Sequence, residues 1–374
     1  MRILSIIARI ITGSAFLFSG FVKAVDPLGT AYKFQDYFSA FNVGFLSELS
    51  LFFAVLLCTI EFIAGFSLLT GLRLEAATRV IILLLLIFTP LTFILALTNP
   101  VTDCGCFGDA IKLTNWQTFW KNIILVLFTS ILFINRDKIK KSNPITGLGL
   151  ITLVTLMFVM FASYNLRFLP VIDFLPYKTG VHIADKMTIP AGASPDRYET
   201  TFLYEKDGVV KEFHLSDYPA DDTTWKFIDQ KSVLKEKGYV PPIHDFVVTD
   251  ETGTDITQII LTDPRYSFLL ISKKLDEANE QEIAEGLDYG RYLMNLGMKF
   301  YVFTASGKNS TVAYRDEFQF CSVDETTLKT MVRANPGFML IHDGTIIGKW
   351  SLSGIPEKEW FSDIMKNDIN FNTN

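Results

Sequence analysis

The chain has 374 residues, of which 49% are hydrophobic, 14% aromatic and only 20% charged, and its formal net charge is −6. A mean hydropathy of +0.29 is too high for an ordinary pair of soluble domains. The content of 23 Gly and four Cys excludes collagen-like and disulfide-scaffold chains. A pI near 5.4 argues against a nucleic-acid partner, which a basic surface would have to hold.

The charge is divided unevenly along the chain. Residues 1–165 carry 12 Lys/Arg against 8 Asp/Glu, a net charge of +4, whereas residues 166–374 carry 22 against 32, a net charge of −10. The long apolar stretches all lie in the first part. We therefore predict an α-helical polytopic membrane domain at 1–165, an extended or β-rich connecting region at 166–240, and an α/β domain at 241–374.

Five stretches approach the roughly 20 apolar residues that a helix needs to cross a bilayer. They are residues 3–22, 49–69, 80–97, 119–134 and 145–164. A signal peptide is the alternative for the first stretch, but Arg9 interrupts its apolar core and no Ala-x-Ala-like exit follows. We expect a multi-pass protein of the inner (cytoplasmic) membrane, with the lipid bilayer as its first partner.

The basic residues predict the orientation of the spans, because Lys and Arg favour cytoplasmic loops. Arg73 and Arg79 lie between the second and third spans, and four basic residues lie in 136–141 between the fourth and fifth. On the other side, Lys residues are diluted by acidic ones. The pattern places the amino terminus in the cytoplasm and the carboxy-terminal domain in the periplasm.

The loop between the third and fourth spans reads Asp103-Cys104-Gly105-Cys106-Phe107-Gly108-Asp109. A turn at Gly105 can bring the two sulfurs into a tight ring, which would be easier to reduce than a structural disulfide. The predicted exterior is also the oxidising side of the membrane. We therefore predict Cys104 and Cys106 as a catalytic redox pair, although Asp103 and Asp109 argue against a highly activated thiolate.

The alternatives for this cysteine pair are a metal clip or two inert loop thiols. A metal would need further ligands, and the four His lie far along the chain, at 182, 214, 244 and 342. We therefore expect no metal at the pair.

Two ionisable residues interrupt the predicted spans, where charges are costly and usually paired. At a helical rise of 1.5 Å per residue, Arg9 and Glu61 lie roughly 9 and 12 Å from the same membrane face. We predict an Arg9–Glu61 ion pair inside the membrane. Alternatively, Arg9 snorkels to the interface while Glu61 faces a wet crevice or is protonated.

Several of these residues carry a resemblance over about residues 1–140. The first span and its exit resemble DoxX-type membrane proteins through Arg9, Gly13, Phe16, Ser19-Gly20, Lys23 and Asp26-Pro27. Glu61, Gly65, Gly71 and the Cys-Gly-Cys-Phe-Gly segment resemble the MauE branch of that superfamily. The resemblance implies a link to methylamine utilisation and to periplasmic maturation of a disulfide-rich client. DoxX-type relatives are linked to quinone-coupled thiol oxidation.

The remainder of the chain alternates strand and helix signals. Strands are predicted at 201–204, 209–213, 245–249, 267–272, 299–304 and 317–321, and as a hairpin around His342-Asp343-Gly344. Helices are predicted at 256–261, 277–296, 311–317, 325–333 and 357–366. Beyond Pro241-Pro242 this order describes an α/β domain of about 130 residues.

The α/β part resembles the TlpA/redoxin branch of the thioredoxin fold, with Asn335-Pro336 entering a strand at 338–341. The resemblance implies a cis-proline at Pro336 and a Cys-x-x-Cys motif after strand 267–272. This chain instead has Lys273-Lys274-Leu275-Asp276 there. The domain therefore cannot be an ordinary dithiol oxidoreductase, and a docking role is the expectation.

Three further residues of this domain need an interpretation. Cys321, at the end of a predicted edge strand, is a candidate redox accessory that would meet Cys104, Cys106 or a partner's thiol. Its alternative is a small buried side chain. Lys329 and Arg333 are predicted to lie on a solvated helix face.

Two functions follow. The first is a thiol–disulfide oxidoreductase, in which Cys104 and Cys106 exchange with a periplasmic client and pass electrons to a quinone. Phe62, Phe66, Phe88 and Phe93 could line the quinone pocket, although such rings are more often lipid contacts. The second is a non-catalytic, membrane-anchored assembly or maturation factor whose thioredoxin-like domain binds a client. A small-solute transporter has little support, because no broken-helix signal is present.

Overall fold

The structure is a computed structural model. It describes residues 2–101, 103–135, 144–195, 197–214, 217, 219, 222–236, 238–307 and 317–372. The chain divides into two compact units, of which one contains Met1–Val181 with Val247–Asn374 and the other contains His182–Phe246.

The amino-terminal part of the first unit is helical. Its helices are α1 (Arg2–Val25), α2 (Pro27–Ala40), α3 (Ser50–Thr70), α4 (Leu74–Thr98), α5 (Asn115–Ile134) and α6 (Pro144–Phe168). Within the described residues, five segments are long and apolar enough to cross a membrane, and α2 is not among them. The chain is therefore a multi-pass membrane protein.

Helices α1 and α3 approach closely because glycines line their contact. A Cβ atom at Gly20 would lie 2.6 Å from the carbonyl oxygen of Cys58, and one at Gly13 would lie 3.3 Å from the carbonyl oxygen of Gly65. Small residues allow the backbones of membrane helices to approach in this way. The contact fixes the register of the two helices, with Gly20 level with Cys58 and Phe62.

Helix α2 was not predicted, because its 14 residues are too few and too polar for a span. Its start has local signals of its own. The Asp26 side chain caps the helix by accepting from the backbone N–H of Gly29 at 2.8 Å, and Pro27 follows in the first turn. The helix brings Lys33 and Tyr37 next to the loop that contains the cysteines.

The second unit contains a short helix and an antiparallel sheet. Its elements are α7 (Ile183–Met187), β1 (Arg197–Lys206), β2 (Val209–His214) and β3 (Lys226–Glu236). The strand order is β2-β1-β3. A tight turn at Asp207-Gly208, with φ angles of 53° and 78°, joins the first two strands. The prediction had located the first two strands and missed β3.

The carboxy-terminal part of the first unit is an α/β domain. Its elements are α8 (Thr257–Leu261), β4 (Tyr266–Ser272), α9 (Glu280–Asn295), β5 (Lys299–Thr304), β6 (Gln319–Ser322), α10 (Glu325–Met331), β7 (Gly337–His342), β8 (Thr345–Ser351) and α11 (Lys358–Asn372). The sheet order is β6-β5-β4-β7-β8. Strands β4, β5 and β6 are parallel to one another. Strand β7 pairs antiparallel with β4, and β8 pairs antiparallel with β7.

The core of this domain lies between the sheet and α9 and α11. Phe268, Phe338 and Phe361 are fully buried, and Phe268 is in ring contact with each of the other two. The Asn335–Pro336 peptide bond is cis. Residues 245–249 form no strand, and Thr249 instead makes isolated bridges to Asp255 and Ser322. The helix predicted at 311–317 lies almost entirely outside the described residues.

Candidate functional site

Cys104 and Cys106 are joined by a disulfide in the loop between α4 and α5, residues 99–114, here called the cysteine loop. Their Cα atoms are 5.5 Å apart. Gly105 between them has a φ of +62°, in the left-handed region that favours glycine. Its N–H donates to the Asp103 carboxylate at 3.0 Å. The turn at Gly105 therefore brings the two sulfurs together.

Helix α2 holds one side of the disulfide. The Tyr37 hydroxyl donates to the carbonyl oxygen of Cys104 at 2.6 Å, and the Lys33 ammonium pairs with Asp103 at 3.0 Å. Burial raises the pKa of Tyr37 well above its usual value, and the charges of Asp103 and Asp36 act in the same direction. The hydroxyl therefore keeps the proton that it donates to the loop.

Helix α1 holds the other side through a buried polar network. Lys23 Nζ donates to Glu61 Oε2 at 2.6 Å and to Ser19 Oγ at 2.9 Å. Ser19 Oγ in turn lies 2.8 Å from Glu61 Oε2 and 2.7 Å from the carbonyl oxygen of Cys106. A hydroxyl has one proton, so Ser19 donates to one of these two acceptors at a time. The network thus links a buried ion pair to the backbone of the disulfide.

The structure does not bring the predicted Arg9–Glu61 pair together. Glu61 pairs with Lys23, and Arg9 Nε donates to the carbonyl oxygen of Leu68 at 3.1 Å. The glycine contact places Glu61 level with Ser19 and Lys23, whereas Arg9 lies beside the end of α3. The carbonyl groups there lack helical partners and attract a cation. The depth argument failed because it treated Lys23 as a loop residue, although α1 continues to Val25.

An internal cavity of about 90 Å³ adjoins the disulfide. At about 10–15 Å³ for each water molecule, it has room for several waters or a small group. Most of its lining is apolar and includes Phe16, Leu85 and Phe88. Polar side chains also line it, namely Ser19, Lys23, Lys33, Glu61, Lys121 and Asn122. Cys104 and Cys106 contribute to the cavity wall, so the disulfide adjoins the cavity.

The aromatic residues predicted to line a pocket have different surroundings. Phe88 lines the cavity. Phe62 stacks on Phe158 with ring centres 4.1 Å apart, and Phe93 contacts Phe119 at 5.2 Å. The prediction missed other rings of the cavity wall, among them Phe16, Phe34 and Phe107. The centre of the Phe107 ring lies 4.6 Å from Lys121 Nζ.

Arg333 of the α/β domain reaches the cysteine loop. Its Nε donates to Asp26 at 2.8 Å and its Nη2 donates to Asp109 at 2.8 Å, and 5% of the side chain is exposed. Burial acts to lower the pKa of Arg333, but the Asp26 and Asp109 carboxylates outweigh it and the pKa is raised. The prediction of a solvated helix face is wrong for this residue, because two carboxylates that are distant in sequence converge on it.

The same edge of the α/β domain contacts α2. Lys273, Lys329 and Arg333 all lie over the ring of Tyr32, at 5.4, 4.8 and 5.5 Å from its centre. Lys273 occupies the segment where the thioredoxin resemblance would place a dithiol. Ser351 adds a second attachment by donating to the carbonyl oxygen of Arg167 at 2.6 Å.

The other two cysteines are buried free thiols. Cys321 on β6 has 1% of its surface exposed. Burial raises its pKa to about 12, and Asp250 and Glu251 contribute in the same direction. Such a thiol is a poor nucleophile at neutral pH. Cys58 in α3 is fully buried, and its thiol donates to the carbonyl oxygen of Val55.

Sequence reasoning missed several residues of the site. Ser19 and Lys23 are four residues apart, so they share a face of α1 and could have been paired with Glu61. Tyr37 and Arg333 gave no such signal, because their partners are backbone or acidic groups far away in the chain.

Comparison with known proteins identifies two segments. Residues 1–135 match the family described as methylamine utilisation protein MauE. Residues 198–237 match a domain of unknown function, DUF8463. No curated protein and no solved structure matches the chain. The amino-terminal part of the chain is therefore a helical membrane domain that is similar to MauE.

Proposed function

We propose that this protein is a membrane thiol–disulfide oxidoreductase, in which Cys104 and Cys106 take electrons from a client protein outside the cytoplasm. The observation that carries the proposal is the position of the disulfide, which lines an internal cavity of the helix bundle beside the buried Lys23–Glu61 pair. A disulfide between residues two positions apart closes a very short loop and therefore adds little to the stability of the fold, so stability alone does not explain this disulfide.

In the proposed exchange, two electrons pass from two client thiols to the Cys104–Cys106 disulfide. A client thiolate attacks one sulfur of the Cys104–Cys106 disulfide, which releases the other cysteine as a thiolate and forms a mixed disulfide. The second client thiolate then attacks the client sulfur of that mixed disulfide and releases the remaining protein cysteine as a thiolate. The client gains a disulfide, while Cys104 and Cys106 become thiols after taking up two electrons and two protons. Oxidation of the two thiols by an acceptor restores the starting state.

A quinone is the acceptor class that suits the chemistry of the cavity lining, because a quinone dissolves in the bilayer and takes up two electrons and two protons. The apolar wall near Phe88 suits a ring, and the ammonium groups of Lys23 and Lys121 are donors for carbonyl oxygens. Ser19 and Glu61 form a polar contact from this cavity to the disulfide backbone. These residues would bind the ring and hold protons near the reacting pair.

The proposed orientation places the cysteine loop and the α/β domain in the periplasm. The basic residues of alternate loops support it. Arg333 supports it too, because its contact with Asp109 puts the α/β domain at the same end of the bundle as the cysteine loop. With the MauE match, a role in maturing a disulfide-containing client of methylamine utilisation follows as part of the proposal.

A second candidate function is a non-catalytic assembly or maturation factor, with a thioredoxin-like domain that binds a client. The sheet order supports the thioredoxin-like assignment, and the lack of a Cys-x-x-Cys motif favours binding over catalysis. The burial of Cys104, with 9% exposed, also favours this alternative.

Trapping of mixed disulfides separates the two functions. Single Cys104→Ser and Cys106→Ser variants are expressed in the native host, and their adducts are compared with those of a matched Cys58→Ser variant. We expect the remaining thiolate of one loop variant to attack the disulfide of the oxidised client, release one client thiolate and accumulate as a reductant-sensitive adduct, while Cys58→Ser shows none. If neither loop variant captures a thiol partner, the redox function is wrong and the assembly function is favoured.

A further inference from the structure

We infer that the α/β domain controls the reactivity of the Cys104–Cys106 disulfide through Arg333, which acts as a positioning residue. The inference rests on the proposed function in one respect only, namely that this disulfide is the reacting group. It adds to that function a device by which one domain of the chain sets the state of the other domain's disulfide.

Arg333 joins three parts of the chain that are distant in sequence. It lies between α10 and β7, and it donates to Asp26 at the start of α2 and to Asp109 in the cysteine loop, both at 2.8 Å. It also donates to the carbonyl oxygen of Lys329, one turn earlier. With 5% of its side chain exposed, the guanidinium is a buried, multiply bound cation, and such contacts are strong and directional.

The contact with Asp109 is transmitted directly to the cysteines. The N–H of Gly108 donates to the carbonyl oxygen of Gly105 at 3.0 Å, so residues 105–108 form one tight turn. Asp109 follows this turn, and Cys106 lies inside it. Holding Asp109 therefore holds the carboxyl side of the disulfide.

The contact with Asp26 acts on the amino side of the disulfide. One oxygen of Asp26 caps α2, and the other binds Arg333. The same helix carries Lys33 and Tyr37, which bind Asp103 and the carbonyl oxygen of Cys104. Arg333 thus ties together both supports of the disulfide, the loop that contains it and the helix beneath it.

Without the guanidinium, the two supports would repel each other. Packing around the Asp26 end is tight, since a Cβ atom at Gly29 would lie 2.9 Å from Arg333 Nη2 and would also clash with the Asp26 carboxylate. Asp26, with 8% of its side chain exposed, would lose its buried counter-charge, and Asp109 would keep only Lys112, 3.7 Å away. Leaving a buried carboxylate without its cation is unfavourable. The cysteine loop would move outward, and the disulfide would become accessible to a thiol. Docking of the α/β domain closes the site, and undocking opens it.

The test measures how fast dithiothreitol reduces the disulfide in the full chain, embedded in lipid nanodiscs. Dithiothreitol becomes its cyclic disulfide and passes two electrons and two protons to Cys104 and Cys106, which are then alkylated and counted by mass. The variants are Arg333→Gln, Asp109→Asn and Arg333→Lys. The matched control is Arg291→Gln, which removes an exposed pair with Glu317 elsewhere on the same domain.

We expect Arg333→Gln and Asp109→Asn to speed reduction at least about fivefold, the lower end of typical coupling between sites. Arg333→Lys should show a smaller increase in the reduction rate than Arg333→Gln, because it keeps the positive charge. Arg291→Gln should be reduced at the wild-type rate. If Arg333→Gln fails to fold, Asp109→Asn decides, since Arg333 keeps its contact with Asp26 in that variant. Wild-type rates in the folded Asp109→Asn and Arg333→Gln proteins would overturn the inference.

The failure of this inference is distinguishable from failure of the proposed function. The reduction rate requires neither a client nor a quinone, so the comparison of variants stands even if no client is ever trapped. Conversely, a trapped client together with unchanged reduction rates would support the oxidoreductase function and show that Arg333 does not control the disulfide.

Discussion

A carboxylate in a membrane span is costly unless a cation or hydrogen bonds compensate for its lost hydration. Glu61 has both, because Lys23 lies 2.6 Å away and Ser19 lies 2.8 Å away, with about 5% of the Lys23 and Glu61 side chains exposed. Ser19 also contacts the carbonyl oxygen of Cys106, at 2.7 Å. At the scale of single residues, the ion pair is therefore part of the site as well as of the helix packing.

Replacing Glu61 with Gln should destabilise the protein by about 3 kcal/mol, because Lys23 would be left buried without its counter-charge. The measurement is the free energy of unfolding in lipid nanodiscs. A matched control is Glu75→Gln, which breaks an exposed pair with Arg79 and should cost no more than about 1 kcal/mol. Equal losses in the two variants would show that the Lys23–Glu61 pair is not buried as described.

Burial of the Cys321 thiol predicts a definite pH dependence. Its pKa is about 12 in the folded chain, against 9.0 for an ordinary thiol, so folding keeps the proton on the sulfur. The contribution of this thiol to the free energy of unfolding is therefore complete below pH 9. It is lost as the pH rises towards 12, because the unfolded chain gives up the thiol proton first. Cys321 should therefore resist iodoacetamide in the native protein up to about pH 9 and react after unfolding. Rapid labelling of the native thiol would contradict this, and it would restore Cys321 as a redox accessory.

At the scale of elements, the packing of α1 against α3 positions the site. Glycines allow the two backbones to approach, and the resulting register places Ser19 and Lys23 opposite Glu61. Helix α2 then covers the loop with Lys33 and Tyr37. The disulfide is held by elements that come from three separate parts of the sequence.

Adding a methyl group at Gly20 should disrupt this packing. A Cβ atom there would lie 2.5–2.6 Å from backbone atoms of α3, which cannot move aside as a side chain does. We expect Gly20→Ala to lower the free energy of unfolding by about 1–3 kcal/mol. Gly149→Ala is the control, because that helical glycine has nothing within 4 Å and should gain up to about 1 kcal/mol in helix propensity. A tolerated Gly20→Ala would mean that α1 and α3 lie further apart.

The sequence predicts elements well where a single physical rule decides them. Apolar length located the five spans, and the succession of strand, helix and turn signals located β4, β5, α9 and the final hairpin. The same length rule excluded α2, which is held by a helix cap and by its neighbours. The Lys23–Glu61 pair was missed because Lys23 was assigned to a loop, although α1 extends to Val25. The contacts of Arg333 were not predictable, because its two carboxylates lie far away in sequence.

At the scale of the whole molecule, the account depends on which side of the membrane holds the cysteine loop. A reporter that is active only outside the cytoplasm, fused to the carboxy terminus, should be active. The same reporter inserted in the basic loop at 136–143 should be inactive, and it serves as the matched control. The reverse pattern would place the disulfide in a compartment that keeps thiols reduced and would contradict the proposed chemistry.

The most direct test of the central claim is exchange between the purified protein and a dithiol peptide. The oxidised protein in nanodiscs is mixed with the reduced peptide, and both are alkylated and weighed. We predict one peptide disulfide for each protein molecule and two new thiols, at Cys104 and Cys106, with Cys58 and Cys321 unchanged. A Cys104–Cys106 disulfide that stays oxidised in the folded wild-type protein, while the peptide stays reduced, would contradict the account.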